Sequence, residues 1–366
     1  MKISCLKSDL LAGLNIAMRA VPSKTTLPIL ESFLIIADDK IRIITNDKDM
    51  GIETGVTGVI SSPGKIAVDA RIFSEIIRKL PENEVLIESD RNQKVRIKCE
   101  ESEFNLNGKN PDEFPELPYT EDEKKIVISQ FILKELIRQT IFSISVNDTN
   151  TMMKGELFEV EGDQLKVVSL DSHRISIRKE TLADSYEKIR VIVPGKTLNE
   201  ISRILSGDKD DIVEISFDRN FVKFEFDTTM VLSRLIDGDF FNVDQMISSD
   251  YESEITVNKN DFLNCIDRAF TLARESEKKP IVLDIIDDEM NIDINTSLGS
   301  MNAHLPITKK GKDLFIGFNP KFFIDALKVI DDEEVSIYFV NSTAPCFIRN
   351  DEGDYIYIIL PVNINR

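Results

Sequence analysis

The sequence predicts an α+β protein made of three copies of one unit of about 120 residues. Two observations predict it. The first is a strand, an amphipathic helix, an acidic turn and a second strand that recur as KIAVDARIFSEIIRKLPENEVLIES from Lys65, RVIVPGKTLNEISRILSGDKDDIVEIS from Arg190 and DLFIGFNPKFFIDALKVIDDEEVSIYF from Asp313. Glu75, Glu200 and Asp325 hold one place in this pattern, and Arg71, Lys196 and Lys321 another, each at spacings of 125 and 125. The second observation is a preceding helix whose apolar positions follow i, i+4, i+7, i+8. These are Leu10, Leu14, Ala17, Met18; then Leu133, Ile137, Thr140, Ile141; then Phe262, Ile266, Ala269, Phe270.

Taken in order, each unit opens with that first helix, over 7–21, 130–143 and 259–274. A hairpin follows, with turns near Asp39, Asp163 and Asp288 flanked by alternating apolar residues. The second helix comes next, over 70–80, 195–206 and 320–329, and the closing strand follows it. Polar stretches near Tyr119 and Ser249 place the boundaries, giving domains 1–121, 122–249 and 250–366.

Composition excludes several classes. Across 366 residues, 42% apolar and 30% charged usage is globular rather than disordered. No apolar run is long enough to span a membrane, and the opening MKISCLKSDLL lacks the apolar core of a signal peptide, so a soluble, cytoplasmic protein is expected. The four cysteines show no CxxC spacing and are expected as reduced thiols. With two histidines in the whole chain, no metal or cofactor is expected.

The net charge of −19 would repel nucleic acid if it were spread evenly. It is not. The six helical segments hold 14 Lys or Arg against 7 Asp or Glu, leaving 31 basic and 57 acidic residues elsewhere. On the second helix of each unit, Arg71 with Arg78, Lys196 with Arg203, and Lys321 with Lys328 are i, i+7 pairs that share one face. One such pair is an ordinary solvated face; three at the same repeat positions suit a phosphate backbone, while an acidic exterior discourages binding elsewhere.

Catalytic motifs fail on inspection. VPGKT from Val193 has Arg190 where a phosphate-binding loop needs its first glycine, so it reads as a strand-to-helix turn. Asp171, Ser172 and His173 are sequence neighbours on extended chain and cannot form a relay among themselves. The acids after Ile286 lack calcium-loop spacing. No enzyme is expected.

Several segments, in order, resemble the bacterial DNA polymerase III beta subunit family, the sliding clamps, over the whole chain. They are SKTTLPILE at Ser23, FNLNGKNPDEFPELP at Phe104, LDSHRISIR at Leu170, SRLIDGDF at Ser233, IGFNPKFFIDALK at Ile316 and YIYIILPVNINR at Tyr355. The resemblance implies three clamp domains, each with two helices on an inner face and antiparallel sheets outside, in a ring-shaped head-to-tail homodimer. The ring would encircle duplex DNA without regard to sequence and act as a processivity factor. Its implied partners are the replicative DNA polymerase, an ATP-driven clamp loader, and repair and mismatch factors that dock through short peptide motifs. The alternative left by the residues alone is a three-repeat protein-binding scaffold.

The resemblance also implies site residues. Lys24 matches a basic DNA contact, and Arg71 and Arg78 match basic residues of the channel helices. Asn147 and the loop to Met152 match a DNA-touching loop, although Thr151 and Met152 replace an aromatic pair and remove base stacking there. A partner-peptide pocket is implied at Met153, Leu170, Ser172, His173, Arg174, Ile175, Ser248, Pro345, Ile358, Leu360, Pro361 and Val362. Without the resemblance, Ile358 and Leu360 merely finish a strand. Leu170 stands where threonine is usual, Phe241 where proline is common, and Asn363 where arginine is usual, with two residues added after the pocket's rim.

Overall fold

The computed structural model describes residues 1–118, 124–145, 149–247, 250–273 and 279–364. In the first repeat β1 (Lys2–Leu6) leads into α1 (Lys7–Ala17). Then come β2 (Ser32–Ala37), β3 (Ile41–Asn46), β4 (Met50–Val56), β5 (Val59–Ser62), β6 (Gly64–Asp69), α2 (Ala70–Lys79), β7 (Glu84–Ser89), β8 (Lys94–Cys99) and β9 (Ser102–Asn107). The second has β10 (Lys124–Ser129), α3 (Gln130–Thr140), β11 (Gly155–Leu170), β12 (Arg174–Pro194), α4 (Gly195–Ile204), β13 (Ile212–Phe217), β14 (Phe221–Phe226) and β15 (Thr229–Arg234). The third has β16 (Ser253–Asn258), α5 (Lys259–Phe270), β17 (Ile281–Ile286), β18 (Glu289–Thr296), β19 (Gly299–Pro306), β20 (Thr308–Gly311), β21 (Leu314–Phe318), α6 (Pro320–Leu327), β22 (Glu334–Phe339), β23 (Cys346–Arg349) and β24 (Tyr355–Ile359). All six expected helices form, and among the described residues the strands pair antiparallel.

The first helices stop earlier than their apolar spacing suggests. Thr45 Oγ donates to the Ala17 carbonyl at 2.7 Å, and Ser169 Oγ donates to the Thr140 carbonyl at 2.5 Å. A hydroxyl on the neighbouring strand thus satisfies one terminal carbonyl, and a short 3₁₀ turn follows in both repeats. The turn expected near Asp163 is present within the span of β11, where the ladder to β12 shifts register on both sides of Gly162. Lys166 Nζ lies 2.7 Å from Glu159 Oε2; at about 3.3 Å per residue a straight strand would hold them roughly 23 Å apart. The chain folds back at Gly162, whose φ of +64 lies in the left-handed region.

The chain forms two compact units, Met1–Ile132 with Glu200–Leu235, and Leu133–Asn199 with Ile236–Arg366. The first holds a five-stranded sheet, β5-β1-β7-β8-β9, and an eight-stranded one, β10-β13-β14-β15-β4-β3-β2-β6. The second holds a seven-stranded sheet, β11-β12-β24-β23-β22-β16-β20, and a four-stranded one, β19-β18-β17-β21. Each large sheet crosses from one repeat to the next, through β15 on β4 and β24 on β12. The two crossings share one register: Leu232 faces Gly51 as Ile358 faces Ile175, and Thr229 faces Thr54 as Tyr355 faces Arg178. By contrast β9 ends one small sheet and β19 ends the other.

The cores follow the apolar stripes. Phe33 packs edge-on to Phe73 under α1 and α2, and Phe323 packs edge-on to Phe262 and Phe318 under α5 and α6. One position breaks the repeat. Phe33 faces Val68, and Ile281 faces Phe318, but the residue facing Val193 at the same place is Glu156. Its side chain is fully buried, and among the described residues neither carboxyl oxygen has a hydrogen-bond partner; Thr140 Oγ1, close by, gives its proton to the Leu136 carbonyl at 2.6 Å. Burial pushes this carboxyl up to about 8, with Thr140 opposing. The folded state therefore keeps a proton that the unfolded chain releases near its ordinary value of 4.5, so the penalty is absent below that pH and grows as pH rises to about 8. Replacing Glu156 with Met should raise the melting temperature by several degrees at pH 8 and flatten its fall between pH 5 and 8; an unchanged pH profile, followed by calorimetry, would contradict this.

Candidate functional site

The second helices place the basic pairs where the sequence expects them. Asp69 accepts from the Ile72 N–H at 2.9 Å and Asn319 from the Lys321 N–H at 3.0 Å, fixing the starts of α2 and α6. Phe73 and Ile77, Leu198 and Ile201, and Phe323 and Leu327 are buried on one face of each helix. Arg71, Arg78, Lys196, Arg203, Lys321 and Lys328 are all exposed. Lys24 is exposed in its loop, and Arg71 donates to the Ser23 carbonyl next to it at 3.4 Å, so loop and helix present their charges together.

The repeated acid tempers each face. Glu75 holds Arg78 at 2.8 Å, Glu200 holds Arg203 at 2.9 Å and Asp325 holds Lys321 at 3.0 Å. Such solvated pairs are worth about 0–1 kcal/mol and yield readily to a phosphate. Glu200 and Asp325 also take an arginine from the neighbouring repeat, Arg19 at 3.4 Å and Arg174 at 2.7 Å, and each is only 18% exposed, whereas Glu75 is 55% exposed. Asn147 lies outside the described residues. Met152, in the following 3₁₀ turn, packs into an apolar cluster.

That cluster gathers much of the second site. Leu170, Ile175 and Ile358 are buried together, with Met153 packed against them. His173 is exposed, and its carbonyl accepts from the Leu360 N–H at 2.8 Å, which sets the 39% exposed Leu360 beside it. Ser172 is exposed in the same turn, and Pro345 is half-buried before β23; Ser248 lies outside the described residues. Arg174 is buried and holds the second repeat to the third. It reaches Asp171 at 3.0 Å, Asp325 at 2.7 Å and the Phe142 carbonyl at 2.5 Å, with its guanidinium 4.7 Å from the Phe322 ring centre. Pro361 and Val362 line a separate hollow of about 480 Å³ with Leu314 and Phe315, and the Val362 N–H bonds the Gly317 carbonyl at 2.8 Å.

The sequence reading missed Phe240, Val243 and Ile247, which close the cluster, with Phe240 edge-on to Phe241 at 6.2 Å. Their apolar spacing was the available signal. Among the described residues no group of His, Cys, Asp or Glu side chains is placed to hold a metal, and no helix is long and apolar enough to cross a membrane.

Three tandem α+β repeats, joined by continuous sheets and carrying exposed basic pairs on their second helices, define a clamp-type architecture. Residues 1–118, 127–242 and 244–363 match the N-terminal, central and C-terminal domains of the DNA polymerase III beta subunit. The chain is 36% identical to the beta sliding clamp of Bacillus subtilis, covering 99% of each chain. Its fold superposes on the crystal structure of the DNA polymerase sliding clamp from Bacillus subtilis with a TM-score of 0.96, at 34% identity and full coverage of both chains. A Eubacterium rectale chain assigned as a DNA polymerase III beta subunit gives a TM-score of 0.97 at 54% identity, again with both chains fully covered. The chain belongs to the DNA polymerase III beta subunit family, the beta sliding clamps, which are non-catalytic processivity factors of replication.

Proposed function

We propose that two copies of this chain, each with domains 1–121, 122–249 and 250–366, join head to tail into a ring that encircles duplex DNA and tethers the replicative polymerase. One observation carries the dimer: two strand crossings of identical register join consecutive repeats, and the strands that would make a third, β9 and β19, are left as sheet edges. Carrying the register over sets Ser102 opposite Ala303 of a second copy, Phe104 opposite Met301, Asn105 opposite Ser300 and Leu106 opposite Gly299. Phe104 is 39% exposed, while its counterparts Val231 and Tyr357 are at most 1% exposed. A second copy would bury it in the same way.

Lys24, Arg71, Arg78, Lys196, Arg203, Lys321 and Lys328, with Asn147, are the proposed DNA contacts. Phosphate contacts of this kind carry no sequence information and so permit sliding. The Leu170–Ile358 cluster with Met153, Ser172, His173, Arg174, Ile175, Ser248, Pro345 and Leu360, continued by the hollow at Pro361 and Val362, is the proposed site for peptide motifs of the polymerase, the ATP-driven loader and repair and mismatch factors. Leu360→Ala should weaken a bound peptide by about fivefold or more, since a lost aliphatic anchor costs roughly 1–3 kcal/mol, with no change in melting temperature. Ile358→Ala instead removes a core side chain and should cost about 2–5 kcal/mol of stability. Equal effects of both on melting would return Leu360 to a strand-ending role.

Cross-linking tests the dimer. Asn105→Cys with Ser300→Cys should oxidise to a covalent two-chain species, because directly opposed strand residues lie about 4.5–5.5 Å apart at Cα, within disulfide reach. Asn105→Cys with Asn302→Cys should not, as two residues of slip add roughly 6.6 Å along the strand. The native Cys5, Cys99, Cys265 and Cys346 are buried and leave the readout clean. A chain that stays single in both would instead be the monomeric scaffold.

A further inference from the structure

The corner that builds the peptide pocket occurs a second time, where the first repeat meets the second. Asp171 Oδ1 accepts from the His173 and Arg174 N–H groups at 2.8 and 3.0 Å; Asp47 Oδ1 accepts from Asp49 and Met50 at 3.0 and 2.7 Å. The Leu360 N–H bonds the His173 carbonyl at 2.8 Å, and the Arg234 N–H bonds the Asp49 carbonyl at 2.9 Å. Leu170 faces Ile175 across its hairpin as Asn46 faces Gly51. The frame is the same, and only the side chains differ.

Those differences leave a hollow of about 210 Å³ lined by Met50, Leu117 and Leu232, with Lys48, Asp49 and Glu116 among its polar lining. Gly51 stands where Ile175 fills the first pocket, and a Cβ there would overlap the Leu117 side chain, so glycine is what lets Leu117 form the wall. The volume falls below the roughly 300–1,000 Å³ of a drug-sized site and suits one aliphatic side chain. The charge differs as well, since Arg174 in the first pocket is already matched by Asp171 and Asp325. Asp49 replaces His173, Met50 replaces the buried Arg174, and Asp49 and Glu116 outnumber Lys48 in the lining.

We propose that this hollow is a second peptide-docking site, taking a linear segment of a partner protein with one aliphatic residue beside a lysine or arginine. It rests on reading the Leu170–Ile358 cluster as a peptide pocket. The ring would then offer each partner two anchor points on one chain, the second with an acidic lining.

Methyl NMR of the full-length protein tests it, with the dipeptides acetyl-Lys-Leu-amide and acetyl-Glu-Leu-amide as probes. The Met50, Leu117 and Leu232 methyls should shift saturably with the lysyl probe, with a dissociation constant near the millimolar range expected for so small a ligand. The glutamyl probe should bind at least about fivefold more weakly, and Asp49→Lys with Glu116→Lys should invert that order. No saturable shift, or equal affinity for both probes on the wild-type chain, overturns the proposal. Shifts confined to Leu170 and Ile358 would likewise overturn it while leaving the first pocket's reading intact. A response at Met50 and Leu232 with silence at Leu170 and Ile358 would support this hollow and count against the first pocket instead.

Discussion

Reversing Arg71, Arg78, Lys196, Arg203, Lys321 and Lys328 to glutamate is expected to abolish salt-sensitive retention of duplex DNA while leaving the two-chain assembly intact. All six are exposed, and the ion pairs the fold gives up, to Glu75, Glu200 and Asp325, have their basic partner in solvent. Their apolar partners on the opposite helix faces, such as Phe73, Leu198 and Phe323, are untouched. Each phosphate contact contributes about 0.9 to the slope of log affinity against log salt, so loss of six per chain should flatten that slope almost completely. The alanine series should flatten the slope as well, because it removes the same phosphate contacts, but without the added repulsion of six new glutamates. Fluorescence anisotropy on a labelled duplex across a salt series reads this directly. An unchanged slope would remove the helices from the DNA contact.

The second large effect is expected at the sheet edge. Phe104→Asp should raise the dimer dissociation constant by at least about a hundredfold, since truncating a buried phenylalanine costs roughly 3–5 kcal/mol and every 1.4 kcal/mol is tenfold. Because Phe104 is exposed in the single chain, its own folding should not suffer. Sedimentation velocity over a dilution series, with melting temperature as the control, separates the two. A variant that stays dimeric would place the interface away from β9.

Much of this was legible in the sequence because it is local. The strand, helix and strand around Arg71, Lys196 and Lys321 follow from apolar spacing within about 25 residues, and the basic face follows from an i, i+7 count. The register of the crossings was not legible, since β4 meets β15 across some 175 residues and no local pattern fixes which residues face each other. Arg174 was read as pocket lining on the strength of its segment. Its burial against Asp171, Asp325 and Phe142 requires three distant elements to be in place. Glu156 looked like any acid in an alternating strand. Only the match to Phe33 and Ile281 reveals it as a core position. Phe240 and Val243 carry a usable apolar signal, but no local pattern ties Phe240, at the end of SRLIDGDF, or Val243 to the cluster around Leu170 and Ile358.

The measurement that tests the central claim most directly is electron-microscopic imaging of the purified chain without DNA or partners. Closed rings of two chains around a central hole are the predicted result, and they would place the six basic pairs of helix positions on a common lining. Single chains or open arcs at concentrations where the double cysteine variant also fails to cross-link would contradict the ring.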